Sequence, residues 1–181
     1  MPYGWAMWLP PATASDLCVF AITLIATVTD LRCRRIPNAL TFTGALLGFL
    51  YSCSAQGSAG ALASVEGWAL GLALWLPFYA LGGMGAGDVK LLACVGAWMG
   101  PAGVVRVAIY ASLAGGALAL LVAFRYRYLR RAIENLWVLV VSWSAAGIRP
   151  IDSLTLETSN SPRLAYAIPT LAGILVAIYV R

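Results

Sequence analysis

Asp30 and Asp88 stand where an acid is costly: each closes or opens a long apolar run, Asp30 just before Arg32, Arg34 and Arg35, and Asp88 two residues before Lys90. An ionisable side chain at membrane depth is a functional candidate by default. Two carboxylates that face one another can share a proton. One then draws a proton from water, while the other protonates a scissile carbonyl oxygen and later the leaving amine. That chemistry hydrolyses a peptide bond without histidine, metal or lysine. The plain alternative for each aspartate is a helix cap or a partner for a neighbouring arginine. The two acids lie at opposite ends of helix dipoles and both have cations nearby, which leaves base and acid unassigned.

The remaining chemistry is restricted by what the chain lacks. It has no histidine, which removes Ser-His and Cys-His nucleophiles and the HExxH zinc site. Cys18, Cys33, Cys53 and Cys94 are spread singly, with no CxxC pair to hold zinc, and no metal or organic cofactor is expected. Lys90 is the only lysine. Among the other acids, Asp16 and Glu66 read as solvated carboxylates near one membrane face, whereas Glu134, Asp152 and Glu157 fall in a polar segment as surface groups. The glycines of Gly85-Ala86-Gly87-Asp88 permit close backbone approaches that a Cβ would forbid, against which a substrate strand could lie.

The elements that must position these residues are membrane helices. Of 181 residues, 61% are hydrophobic and only 10% charged, against roughly 25% charged in a soluble domain. The expected fold is all-α: one membrane-embedded domain over residues 1–181 with about six transmembrane helices. They run near 12–29, 38–51, 62–81, 88–100, 104–124 and 164–180, with an outer loop at 52–60. Residues 125–163 form a cytoplasmic segment that includes an interfacial helix near 132–148. Pro37-Asn38 is expected to open the second helix, with Asn38 as a cap. Residues 1–15 carry no charge, so the first span reads as retained rather than as a cleaved signal.

This arrangement puts Arg32, Arg34, Arg35, Lys90, Arg125, Arg127, Arg130, Arg131, Arg149 and Arg163 on the inner side and leaves Arg106 and Arg181 outside. The asymmetry follows the positive-inside rule and places Asp30 and Asp88 together at the cytoplasmic face. The net charge of +5 therefore reads as topology, and no nucleic-acid partner is expected.

The stretch Asp30-Leu31-Arg32-Cys33-Arg34-Arg35-Ile36-Pro37-Asn38, followed 58 positions after Asp30 by Gly85-Ala86-Gly87-Asp88, resembles the type IV prepilin peptidases, the GxGD membrane aspartyl proteases. A third element, Ala165-Tyr166-Ala167-Ile168-Pro169, looks like that family's C-terminal Tyr-Ala-x-Pro region with shifted details. The resemblance implies that Asp30 and Asp88 are the catalytic pair and that Gly85 and Gly87 shape the active-site loop. It implies that Ile36, Pro37 and Asn38 set the start of helix two, with Lys90 in support. It further implies removal of a basic leader from prepilin-like substrates at the cytoplasmic face of the bacterial inner membrane, with a glycine before the cut and an apolar helix after it. Glu134, Asp152 and Glu157 are the candidate receptors for the leader. Long family members carry an added segment with paired CxxC motifs and an N-methyltransferase activity. This sequence looks like the short, peptidase-only form of tight-adherence (Flp) pilus systems.

Two other functions compete. A proton- or ion-coupled transporter would also place paired acids in the membrane, but should show an inverted repeat, and none is visible. A non-catalytic pilus-assembly membrane subunit would make both aspartates dispensable.

Overall fold

The computed structural model describes residues 14–125, 129–130, 133–134, 137–138, 141 and 166–180, and these are all-helical apart from short connections. The helices with described bounds are, in order, α1 (Ala14–Cys33), α2 (Asn38–Ala80), α3 (Ala86–Arg125) and α4 (Ala167–Tyr179). Among the described residues, α1, α2 and α3 are long and apolar enough to cross a membrane, and α4 is a shorter apolar helix.

A straight 43-residue helix would extend about 65 Å, twice a bilayer core of about 30 Å. Neither long helix is straight. Gly57 in α2 has φ +61° and Gly100 in α3 has φ +68°, a left-handed backbone that glycine reaches without penalty. The contacts on either side show that the chain turns back at both. Ahead of Gly57, α2 runs parallel to the first half of α3: Asn38 meets Lys90, Gly44 meets Cys94 and Gly48 meets Trp98. Beyond Gly57 the order inverts, with Ser64 on Ala97, Gly67 on Gly96 and Gly71 on Leu92. The second half of α3 lies antiparallel to α4, with Ala111 against Gly173 and Gly115 against Pro169. Among the described residues, the two halves of α2, the two halves of α3, α1 and α4 therefore pack side by side as separate rods.

The outer loop expected at 52–60 is thus a helical stretch broken at one residue. Small polar residues there, Ser52, Ser54 and Ser58, do not prevent helix when a single glycine supplies the reversal. The first helix also continues to Cys33, past the expected end, so that Asp30 lies inside its last turn. Of the expected interfacial helix, residues 133–134, 137–138 and 141 are helical, and the rest lies outside the described residues.

The interior combines a buried apolar core, with Leu92, Val95, Val104, Val107 and Ile174 among its members, with many small and polar residues. Gly44, Gly48, Gly67, Gly71, Ser64, Thr23, Thr41 and Thr170 point inward, while Leu17, Leu46, Leu50, Leu113, Leu120 and Phe124 face out. Small residues let helix backbones meet closely, which drives association where lipid is as apolar as leucine. Gly67 and Gly96 touch backbone to backbone. Polar cross-links complete the seam: the Ser64 hydroxyl donates to the Ala97 carbonyl at 2.7 Å and Trp98 Nε1 to the Gly44 carbonyl at 2.8 Å. Small residues at the helix seams with large apolar side chains over the outer surface are the distribution of a membrane protein.

Candidate active site

Asp30 reaches the site from the last turn of α1 and is half-buried. The chain then turns sharply. Arg34 adopts a left-handed φ of +52° while its N–H donates to the Asp30 carbonyl at 2.8 Å, a helix C-cap more usually formed by glycine. The turn holds the Arg34 guanidinium within electrostatic reach of the Asp30 carboxylate, which also accepts the backbone N–H of Ala167, the first residue of α4.

Asp88 comes from the other side, at the third position of α3 rather than its first. Its carboxylate accepts the Gly85 backbone N–H, the reach-back of a capping box, in which an acid at the third helical position satisfies a donor at the cap. A Cβ on Gly85 would stand 3.1 Å from Asp88 Oδ2. Asp88 is 9% exposed, and its Oδ1 has no hydrogen-bond partner among the described residues. The carboxylates of Asp30 and Asp88 interact electrostatically with each other.

The two aspartates line one cavity of about 650 Å³, whose walls are the α1–α2 connection (Cys33 to Asn38) and the start of α3 (Gly85 to Asp88, with Lys90). Gly85, Gly87, Lys90, Ile36, Pro37 and Asn38 all line it as well. Their contacts differ from expectation in two respects. A Cβ on Gly87 would come within 3.2 Å of Ile36 Cβ, so this close approach serves packing between the two motifs and leaves that face to Ile36 rather than to a substrate strand. Asn38 makes no cap: Pro37 holds the cap position without a side-chain bond, and Asn38 Oδ1 accepts from Lys90 Nζ at 2.9 Å. The ammonium also lies 5.9 Å from the centre of the Phe42 ring.

Of the candidate leader receptors, Glu134 alone lies among the described residues. Glu134 is exposed and pairs with Arg130 one turn earlier at 3.0 Å, and Asp152 and Glu157 lie outside the described residues. Asp16, expected to be solvated, is only 2% exposed, on the same buried face of α1 as Val19 and Thr23. Residues that sequence reasoning left off the site include Thr29 and Cys33 on the cavity wall, and Tyr166, which interacts electrostatically with Asp88. Tyr166 was visible only as part of a motif, since nothing in its spacing says that α4 starts beside Asp88.

Comparison with known proteins agrees with this arrangement. The family model described as the type IV leader peptidase family matches residues 17–120, which contain both aspartates and the whole cavity wall. A prepilin leader peptidase/N-methyltransferase of Pectobacterium carotovorum subsp. carotovorum is 33% identical over 132 residues, covering 69% of this chain and 46% of that protein. One of the same description from Burkholderia pseudomallei (strain 1026b) is 32% identical over 120 residues, covering 63% of this chain and 38% of the relative. The matched part is thus less than half the length of these relatives. No solved structure matches. With more than half of its residues inside the family model, the chain belongs to the type IV leader peptidase family.

Proposed function

We propose that the protein is a membrane aspartyl endopeptidase that removes the leader from prepilin-like substrates, using Asp30 and Asp88 on an activated water. The observation that carries this reading is the meeting of the two carboxylates across one open cavity, built from the segments that the family match spans. In the reaction, the ionised carboxylate takes a proton from water and the oxygen adds to the scissile carbonyl. The protonated carboxyl gives its proton to the carbonyl oxygen, forming a neutral tetrahedral diol. Collapse breaks the C–N bond as the newly protonated carboxyl passes its proton to the amine nitrogen while the other carboxylate takes a proton from a diol hydroxyl, which leaves a carboxylic acid and an amine and restores one ionised and one protonated aspartate. No metal or organic cofactor enters.

The rim of the cavity carries Arg34, Arg35 and Lys90, with Arg32 beside it. By the positive-inside rule this supports a cytoplasmic mouth at a bacterial inner membrane, with the six rods as six spans. The first half of α3 is about 21 Å long from Ala86 to Met99, shorter than a bilayer core, which favours a recessed Asp88. A prepilin or pseudopilin suits this site: its apolar helix lies in the bilayer and its basic leader on the cytoplasmic side, drawn to Glu134, Asp152 and Glu157.

The test is cleavage of a prepilin with a basic leader by purified protein in detergent or liposomes. Asp30→Asn and Asp88→Asn should each abolish product while leaving the protein in the membrane at near-normal level. Substantial cleavage by either variant overturns the two-aspartate mechanism.

A further inference from the structure

Ala167 is fully buried at the start of α4 and is held by α1 at both of its backbone polar groups. Its N–H donates to the Asp30 carboxylate, and its carbonyl accepts the Thr27 hydroxyl at 3.1 Å. Thr27 and Asp30 are three residues apart, so they lie on one face of α1, one turn above the other. Beside Thr27, Ala26 packs with Leu91 of α3 and with Ala167, all three fully buried. A single peptide unit of α4 therefore bridges a buried hydroxyl and the carboxylate that borders the cavity.

Thr27 has a choice of acceptor. Its one hydroxyl hydrogen has the Thr23 carbonyl of its own helix at 2.8 Å and the Ala167 carbonyl at 3.1 Å. Thr23 and Thr29 donate only to carbonyls of α1 itself. Of these three, Thr27 is the one that reaches out of α1 to another described residue. The Ala167 carbonyl, belonging to the first turn of α4, also has its own helix bond to make, and a carbonyl oxygen has lone pairs for both. The tie to Thr27 fixes how far the first turn of α4 sits from α1, and with it the position of the N–H that meets Asp30. Without that donor, nothing from α4 sets the orientation of the Asp30 carboxyl facing Asp88.

We infer that Thr27 is a positioning residue for the hydrolysis: through the Ala167 peptide it holds the first turn of α4 against Asp30 and so fixes the carboxyl in its working orientation. The inference rests on the two-aspartate reading above. Misplacement of a catalytic group acts on the chemical step more than on substrate capture, and a lost neutral hydrogen bond is worth up to about tenfold.

The test is steady-state cleavage of a prepilin by the full chain carrying Thr27→Val, Thr27→Ser or Thr23→Val, beside Asp30→Asn and Asp88→Asn. Thr27→Val keeps the branched shape but removes the hydroxyl, and should lower kcat about tenfold with KM within about twofold of the parent. Thr27→Ser restores the donor and should recover most of the loss. Thr23→Val removes a hydroxyl bonded only within α1 and should leave kcat within about twofold. Parental kcat in Thr27→Val, failure of serine to rescue, or an equal loss in Thr23→Val each overturns the inference. If both asparagine variants are dead while Thr27→Val is fully active, Thr27 alone is reassigned. If the asparagine variants cleave, the two-aspartate reading falls as well.

Discussion

Lys90 Nζ donates to Asn38 Oδ1 at 2.9 Å, joining the start of α3 to the start of α2 two residues beyond the Asp88 carboxylate. The only lysine in the sequence is thereby a cross-brace on the cavity wall. Its ammonium is engaged with an amide oxygen and an aromatic face, a poor arrangement for a nucleophile that would need to lose its proton.

Lys90→Met and Asn38→Ala should each lower kcat/KM about three- to tenfold, since an exposed hydrogen bond is worth less than a buried one with a charged donor. The double variant should be no worse than the poorer single one, because both remove the same bond. Losses that multiply would show that the two residues act separately. Complete inactivity of Lys90→Met alone would return the lysine to the chemistry.

Gly87 should tolerate a methyl group poorly and a larger side chain not at all. A Cβ would stand 3.2 Å from Ile36 Cβ, tighter than ordinary contact, so the α1–α2 connection must yield by a few tenths of an ångström. Both Arg34 and Asp30 hang on that connection. Gly87→Ala is expected to reduce turnover several-fold and Gly87→Val by more than tenfold, since overpacking costs typically 1–3 kcal/mol. Cleavage assays with membrane levels matched by immunoblot would check this order. Equal activity of all three proteins would show that the Ile36 contact does not position the site.

Much of the site was legible because its residues are close in sequence and chemically unusual. Asp30 through Asn38 and Gly85 through Lys90 are two short words, and the structure brings both to one cavity. Their internal grammar was not legible. That Asn38 would bond Lys90 instead of capping α2, or that Ile36 would fill the space above Gly87, depends on how two segments 50 residues apart are docked. In the fold, the helical nature of the chain follows from its apolar runs. The break at Gly100 falls where the spans 88–100 and 104–124 were expected to part, and the one at Gly57 lies within the expected loop 52–60; what was not legible is that the chain around Gly57 stays helical, because its small residues read equally well as loop and as helix–helix seam. The role of α4 was the least visible: its N–H contact with Asp30 comes from a backbone group, which no side-chain pattern announces.

The seam between α2 and α3 should govern stability rather than catalysis. A Cβ on Gly67 would fall on the Gly96 carbonyl and on Gly100 backbone, and one on Gly96 would fall on Gly67, with no flexible side chain able to move aside. Gly67→Val and Gly96→Val should therefore lower thermal stability in detergent by about 1–3 kcal/mol or more, seen as an earlier unfolding midpoint. Gly116, which has open space around it, should accept alanine without such a loss. Unchanged midpoints for both valine variants would mean that the two helices do not pack this closely.

Orientation can be read directly from single cysteines. The reversal at Gly57 and the return of α3 at Gly100 put the Asp30 and Asp88 ends of their helices on one side and the turn at Gly57 on the other. If the basic cluster Arg32, Arg34 and Arg35 faces the cytoplasm, Ser58 must face away from it. A variant lacking Cys18, Cys33, Cys53 and Cys94, with Cys94→Ala because that thiol is buried against Gly44, supplies the background for single cysteines at Ser58, Ser153 and Ser159. A membrane-impermeant thiol reagent should label Ser58→Cys in intact spheroplasts, and Ser153→Cys and Ser159→Cys only after permeabilisation. Labelling of Ser153→Cys from outside would mean that residues 132–148 cross the bilayer, which reverses the orientation of everything after them. The two aspartates, carried on α1 and the start of α3, would still meet at one face. Labelling of Ser58→Cys only after permeabilisation would move that face to the outside, and a cytoplasmic leader could then not reach the pair.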